Sequence, residues 1–267
     1  MNNPISVFPA IALRGTTILP EMIVHFDVSR ERSIHAIEAA MMKDQKIFLF
    51  TQKDPEMETP GALDLYQIGT VAYIKQVIKL PQNLLRVLVE GKQRARLLDF
   101  VQEEPFIEVQ IAETDNERAA LSPAVEEAMH QSLQQLFHQY CMESGGRISK
   151  VITAQIMTIK DVEAMITQIG VNLPLSYQDK QKILDAVTLE EQYEVIGTLL
   201  SNEIEVCKIT KELQRRLKAR VDKNQREYIL REQMKLIREE LGEENTSDMA
   251  EEYRQKLSEL SASEEVK

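Results

Sequence analysis

Apolar residues recur in short runs through the first 113 residues, and these runs predict a strand-rich region with one helix. In LLRVLVE and FIEVQIAE they occupy every second position, which is the spacing of a half-buried β-strand. The predicted strands are VFPAIAL, MIVHFDV, KIFLFTQ, GTVAYIKQVIKL, LLRVLVE, KQRARLLDF and FIEVQIAE. Because the connections are too short for parallel crossovers, we expect mostly antiparallel pairing. Closure into a small barrel-like sheet would remove exposed edges.

Two local signals complete the prediction for this region. Ser29 is a good N-cap for a helix over residues 30–42, where apolar residues recur at helical spacing. The dipeptide EG at 90–91 and the tripeptide PQN at 81–83 carry turn residues and are expected to join consecutive strands.

The apolar spacing becomes helical after residue 121. Ser122-Pro123 predicts a helix start, because serine is a common N-cap and proline suits the first helical position. The glycines at 145–146 are expected to end that helix, and Gly170 to end a second segment over 148–169, which is broken near Lys160. The pairs Ser176–Asp179 and Thr188–Glu191 predict capping boxes for two further helices.

These patterns predict an α+β fold. A mostly antiparallel β lobe with one helix is followed by an all-α helical bundle that ends in one very long helix. The expected domains are residues 1–116 for the β-rich lobe and 117–206 for the bundle. The long helix over 189–242 overlaps the bundle, and residues 243–267 form an acidic linker.

The long helix has an unusual distribution of apolar residues. Between residues 218 and 227 only Ala219 and Val221 are apolar, and acid-first i,i+4 pairs are expected to stabilise this solvated part. These pairs are Glu212–Arg216, Asp222–Arg226 and Glu227–Arg231. An apolar stripe resumes at Leu230, Met234, Ile237 and Leu241. We expect this stripe to pack against a partner or a neighbouring subunit.

Charge is spread unevenly along the chain. The net charge is −11, yet residues 211–240 contain ten Lys or Arg against six Asp or Glu. Nucleic-acid binding is therefore a second hypothesis, with steep salt dependence, through Arg215, Arg216, Lys218, Arg220, Lys223 and Arg226. The interleaved acids, the overall charge and the lack of stacking aromatics argue instead for a solvated helix.

Composition and motifs narrow the function classes. Neither an apolar run long enough to span a membrane nor an export signal is present, so we expect a cytoplasmic protein with no membrane partner. The phosphate loop G-x-x-x-x-G-K-[ST], the zinc motif H-E-x-x-H and the nucleophile elbow G-x-S-x-G are absent. We therefore expect no cofactor, no metal, no catalytic residue and no self-contained enzyme.

Four segments together resemble the N-terminal region of the bacterial type of Lon ATP-dependent proteases. They are LRGTTILPEMIVHFDVSRERSIHAIEAAM, LFTQKDPEMETPGALDLYQIGTVAYIKQVIKLP, RVLVEGKQRARL and KNQREYILREQMKLIREELGE. The resemblance covers nearly the whole chain to about Gly242. LPE at 19–21 and LPQN at 80–83 depart from the family's usual turns.

The resemblance implies a non-catalytic region that recognises unfolded or damaged protein substrates and supports hexamer assembly. Family members continue into an AAA+ module, which uses ATP and Mg²⁺, and a peptidase module with a Ser-Lys dyad. We therefore expect a fragment that is a monomer or weak dimer by itself. Family members are reported to bind DNA, which leaves that alternative open.

Substrate-binding residues are expected in the loop after the first strand. The candidates are Leu13, Ile18, Leu19, Pro20 and Met22, which would form an exposed apolar patch. The alternative is that these side chains pack inside the sheet lobe.

Overall fold

The structure is a computed structural model that describes residues 5–57, 60–114, 121–241 and 252–256. It divides into two compact units, Met1–Cys207 and Lys208–Lys267. The expected boundary near residue 116 lies outside the described residues, and so does the acidic linker except for residues 252–256.

Six strands form one sheet in the first unit. They are β1 (Ile5–Leu13), β2 (Ile23–Val28), β3 (Lys46–Thr51), β4 (Ile68–Leu80), β5 (Leu84–Gln102) and β6 (Glu108–Glu113). Their order is β2-β5-β4-β3-β1-β6, and β6 also pairs with β5. The sheet therefore closes on itself through five strands, with β2 attached outside the barrel, which confirms the barrel-like closure.

Five of the strand pairs are antiparallel, but β1 and β3 run parallel. The expectation that every connection is too short for a parallel pair was wrong at this point. Between β1 and β3 the chain forms β2 and then helix α1 (Glu31–Met42), which together are long enough for a crossover. Helix α1 begins at the N-cap Arg30, without a side-chain cap, rather than at Ser29.

The segment predicted as two strands with an EG turn is one strand, β5, of 19 residues. Gly91 lies within it because a Cβ at this position would be 2.2 Å from the carbonyl oxygen of Leu19. Glycine is used here for close backbone approach and not for a turn. The register with β4 shifts at two places, which bends the long hairpin.

The helices follow the capping signals. They are α2 (Pro123–Glu143), α3 (Lys150–Thr158), α4 (Val162–Asn172), α5 (Tyr177–Asp185) and α6 (Leu189–Glu240). Ser122 and Ser176 cap α2 and α5, and Thr188 with Glu191 forms the capping box of α6. Gly170 lies inside α4 and does not end it, because a Cβ there would be 3.2 Å from Ile183 and 3.3 Å from Leu19.

Among the described residues of the first unit, buried side chains form three clusters. One fills the barrel around Phe48, Phe50 and Val109. A second lies between the sheet and α1, where Ile34 and Ile37 face Leu49 and Val87. The third is the core of the helical bundle.

We predict that Gly91→Ala lowers the free energy of unfolding by about 3 kcal/mol, because the new methyl group meets the Leu19 carbonyl. The matched control is Gly197→Ala in α6, where the Cβ meets no atom within 4 Å. That change should raise helix stability by about 1 kcal/mol. Urea unfolding of both variants measures whether each change lowers or raises the free energy of unfolding. Equal effects of the two changes would contradict the close approach at Gly91.

Candidate functional site

A buried hydrogen-bond network joins the β-rich lobe to the helical bundle within the first unit. The Thr17 hydroxyl lies 2.9 Å from the Thr51 hydroxyl and 3.0 Å from the carbonyl oxygen of Tyr177. From the helical side, the Gln181 amide donates to the carbonyl of Ile68 (2.9 Å) and to Asp185 (2.8 Å). Buried polar groups with satisfied partners fix a unique arrangement of the elements that carry them.

Arg94 extends this network from β5 to the C-terminal end of α5. Its side chain donates to the backbone carbonyls of Ala186 and Ile183, and the whole residue is only 8% exposed. Burial lowers the pKa of the guanidinium, while the nearby carboxylates of Glu163 and Asp185 act in the opposite direction. A cation that donates to the last carbonyls of a helix stabilises that helix end.

The loop after β1 supplies apolar contacts to both lobes. Ile18 packs in the cluster beneath α1, whereas Leu19 enters the core of the helical bundle beside Ile68 and Ile169. The carbonyl of Ile18 accepts a hydrogen bond from the Thr70 hydroxyl at 2.5 Å. Two consecutive residues of this loop therefore belong to different cores, one beneath α1 and one in the helical bundle.

The candidate substrate-binding residues of this loop are less exposed than expected. Leu13, Ile18 and Leu19 are buried, and Pro20 and Met22 are half-buried. The exposed apolar patch expected from this loop is not present at the three buried residues, because each fills a core position. The packed alternative describes them instead.

A cavity of about 330 Å³ lies at the junction of the two lobes. Lys92 and Arg94 line it together with the acidic residues Glu21, Asp161 and Glu163. Glu21 accepts a hydrogen bond from Gln168 at 2.6 Å, and Asp161 caps the N-terminus of α4. Charges of both signs therefore lie around this cavity, and the carboxylates of Glu21 and Asp161 already accept hydrogen bonds from other parts of the fold.

A larger cleft of about 670 Å³ lies at one mouth of the barrel. The C-terminal end of β1, the end of β2, the start of α1 and the two ends of the β5–β6 connection line it. Its large apolar residues are Ile11, Leu13, Phe26, Val28, Leu65, Phe100 and Ile107, and the smaller Ala12, Pro60 and Ala62 also line it. This volume and apolar lining are typical of binding clefts. Sequence reasoning missed the cleft, because its walls come from segments that only barrel closure brings together.

The candidate nucleic-acid residues lie on the exposed part of α6. Arg215, Arg216, Lys218, Arg220, Lys223 and Arg226 are all exposed. Glu212 pairs with Arg215 at 3.1 Å and Arg216 at 2.8 Å. Hydrogen bonds from both arginines lower the pKa of Glu212, so this acid stays charged within the basic segment.

The other expected pairs of α6 differ in outcome. Glu227 and Arg231 form the expected ion pair at 2.8 Å. Within the described helix no ion pair joins Asp222 to Arg226.

The candidate assembly residues are also exposed. Leu230, Met234, Ile237 and Leu241 each have more than half of their surface accessible. Val206, Ile209 and Leu213 form an earlier exposed apolar set on the same helix.

Within the described ranges, no group of three or more His, Cys, Asp or Glu side chains is placed to hold a metal ion. In the same ranges, no helix has both the length and the apolar character needed to cross a bilayer. Cys207 is a buried free thiol, and burial raises the pKa of the half-buried Cys141 thiol.

The first unit is a closed β barrel built onto a helical bundle, and its candidate site is the cleft at the barrel mouth. The family model for the ATP-dependent protease La (LON) substrate-binding domain matches residues 7–202. The chain belongs to this family.

Relatives and solved structures agree with that assignment. The chain is 46% identical over 259 residues to the Lon protease of Lachnoclostridium phytofermentans, covering 97% of this chain and 32% of the relative. It is 35% identical over 237 residues to Lon protease 1 of Bacillus subtilis, covering 88% and 30%. The chain therefore spans about a third of the length of the relatives it matches.

Two solved structures share the fold. The N-terminal domain of the Mycobacterium avium complex Lon protease matches with a TM-score of 0.59 at 18% identity, over 73% of this chain and 98% of that one. The Lon N-terminal domain protein of Xanthomonas campestris matches with a TM-score of 0.51 at 13% identity, with the same coverage.

We predict that Arg94→Met destabilises the first unit by about 2 kcal/mol, because the carbonyl of Ile183 loses the Arg94 donor and that of Ala186 keeps only the Gln192 amide. Arg96→Met is the matched control, since Arg96 is exposed two residues away and should change stability by less than about 0.5 kcal/mol. Urea unfolding compares the two. A stable Arg94→Met variant would mean that the cost of burying the charge exceeds the gain from its hydrogen bonds.

Proposed function

We propose that this chain is the non-catalytic region of a Lon-type protease that recognises unfolded or damaged protein substrates. The observation that carries the proposal is the coincidence of two boundaries. The family's substrate-binding domain matches residues 7–202, and the compact unit of the structure is Met1–Cys207. The matched residues therefore lie within one folded body rather than in two separable pieces.

The barrel-mouth cleft is the proposed contact site for apolar side chains of a substrate. Its floor is apolar, and cations and acids occur in equal number among its lining residues. Such a lining favours apolar, uncharged segments, which unfolded proteins expose and native proteins bury. Pro20 and Met22 are half-buried and remain secondary candidates.

Proteolysis itself is proposed to reside elsewhere. The resemblance implies an AAA+ module with ATP and Mg²⁺ and a peptidase module with a Ser-Lys dyad. We propose that chain outside these 267 residues supplies both. In that arrangement the long helix connects substrate recognition to the ATPase ring of a hexamer.

The exposed residues of α6 support a role in assembly. Val206, Ile209 and Leu213 occupy positions a, d and a of one heptad frame, and Leu230, Met234, Ile237 and Leu241 occupy d, a, d and a of the same frame. The a and d positions between them are polar: Arg216, Arg220, Lys223 and Glu227. Polar residues at these positions weaken a coiled coil while fixing its register. Weak self-association of this chain is the consequence.

We expect the chain to be a monomer or weak dimer in solution, with the dimer lost in Ile237→Asp. Leu236→Asp is the matched control, because Leu236 is equally exposed but lies at position c of the frame. Analytical ultracentrifugation of the two variants measures the dimer fraction. It shows whether the dimer depends on the apolar stripe or is weakened by any added surface charge. A stable hexamer of this chain in light scattering would contradict the expectation.

The recognition proposal predicts binding to an unfolded protein and not to its native form. Fluorescence anisotropy of one labelled protein, titrated in both states with this chain, measures the difference. Ala62→Arg should weaken binding about tenfold, because Ala62 lines the cleft and is exposed enough to accept a larger side chain. Leu63→Arg is the control, because Leu63 follows Ala62 in the chain, is 87% exposed and does not line the cleft.

Two outcomes of that titration would oppose the proposal. Equal binding of the native and unfolded protein would show that the chain does not select unfolded substrates. No binding in either state would contradict substrate recognition by this chain and leave it a role in assembly.

Nucleic-acid binding is the second candidate, favoured by the exposed cations of α6. The same titration with a labelled DNA duplex at low and high salt tests it. Binding that falls steeply with salt and is abolished by charge reversal at Arg215, Arg220 and Lys223 would support this role.

A further inference from the structure

Strand β2 is the one strand of the described sheet with a neighbour on a single side. The other five strands form the closed barrel, and each has two neighbours. β2 pairs with β5 from Ile23 to Val28, with no shift in register. Its second edge is therefore a straight row of backbone groups about 20 Å long.

The register shows which backbone groups face that edge. Gly91 donates its N–H to the carbonyl of Met22, and its own carbonyl accepts from the N–H of Glu21, so the β2–β5 ladder begins at a bulge formed by Glu21 and Met22 opposite Gly91. Hydrogen-bonded and non-hydrogen-bonded pairs alternate along an antiparallel ladder. Consequently Val24, Phe26 and Val28 bond to β5, whereas the N–H and C=O groups of Ile23, His25 and Asp27 point to the free edge.

The face of β2 that carries Ile23, His25 and Asp27 is exposed, and Ile23 reaches 64%. The charge of Asp27 is engaged by Arg86 on the neighbouring strand through two bonds of 2.7 and 2.8 Å. Neither lysine nor proline occurs in IVHFDV.

Part of β4 is also unpaired on one side, but it is protected. Beyond Tyr73, the side of β4 that faced β3 has no partner strand among the described residues. That part of β4 carries Lys75 and Lys79 and a register shift between Ile74 and Gln76. Lysines and bulges are the usual devices that prevent edge pairing. β4 has them, and β2 does not.

We propose that β2 binds an extended segment of the substrate polypeptide as an added β-strand. This inference rests on the proposed recognition of unfolded proteins and specifies how they are held. Main-chain hydrogen bonds to an edge strand give affinity with little dependence on sequence. Because Phe26 and Val28 also wall the barrel-mouth cleft, alternate side chains of a segment lying along β2 would reach it.

An extended segment fits this edge better than a second copy of the chain. One edge of six residues buries far less than the roughly 1,200 Å² of a stable protein interface. An unfolded substrate, by contrast, brings unpaired backbone along its whole length and needs only transient attachment before it is passed on.

The test compares His25→Pro with His25→Ala in the full 267-residue chain. Proline removes the outward N–H while leaving the bonds of Val24 and Phe26 to β5, and edge strands tolerate it. Alanine removes the same side chain and keeps the N–H. With a labelled, reduced and carboxymethylated protein as the probe, we expect about tenfold weaker binding for His25→Pro and unchanged binding for His25→Ala.

A second probe keeps the test decisive if His25→Pro perturbs the fold. A short apolar peptide is compared with its copy methylated at alternate backbone nitrogens, both titrated into the unmodified chain. Added-strand binding predicts loss of affinity on methylation at the nitrogens that face β2.

The outcomes separate this inference from the proposed function. If the unmodified chain binds the unfolded probe and neither His25→Pro nor methylation weakens binding, the edge is excluded and recognition stands. If the unmodified chain binds no unfolded probe, recognition and the edge both fail. A dimer in light scattering that only His25→Pro abolishes would assign the edge to a second copy and overturn the inference.

Discussion

The structure of the first unit depends on the close approach of two backbone segments at Gly91. The carbonyl of Leu19 occupies the space that a Cβ on β5 would need. This approach lets the short loop after β1 direct Ile18 into one core and Leu19 into another. Thr17, Gln181 and Arg94 then bond across the same junction. The β-rich lobe and the helical bundle are consequently one body, although the periodicity of the sequence separates them.

Closure of the barrel and the survival of one free edge have a common origin. β5 is long enough to pair with β2 along its first part and with β6 along its second. Pairing with β6 closes the barrel, whereas β2 is left with one neighbour. The same continuity of β5 through Gly91 thus produces the barrel-mouth cleft and the edge beside it. The proposed binding surface, an apolar cleft with main-chain groups beside it, suits ligands that share no sequence but expose apolar side chains and backbone.

The exposed part of the long helix α6 is stabilised without a core. Its exposed part is held by backbone hydrogen bonds and by ion pairs such as Glu212–Arg216 and Glu227–Arg231. Exposed ion pairs contribute little stability each. In the proposed assembly, the apolar residues of the heptad frame make the contacts, and the polar a and d positions between the two apolar sets keep the association of this chain weak.

The sequence by itself determined the elements whose causes are local. Ser122-Pro123, Ser176–Asp179 and Thr188–Glu191 set the starts of three helices, because capping acts within one turn. Short apolar runs located the strands, with period-two alternation in LLRVLVE and FIEVQIAE, and the motifs of the Lon family indicated the family to which the chain belongs. The apolar stripe of Leu230, Met234, Ile237 and Leu241 was also readable from the sequence, since a solvated helix depends on its own residues.

Tertiary structure decided whatever depended on distant segments. EG at 90–91 has the composition of a turn, but Gly91 is glycine because Leu19 lies against it. Leu13, Ile18 and Leu19 have the composition of a binding loop, but two cores enclose them. The parallel pairing of β1 with β3, the cleft and the free edge of β2 follow from how the strands close. Local patterns report what a residue can do within a few positions of its neighbours, and packing decides which of those options it uses.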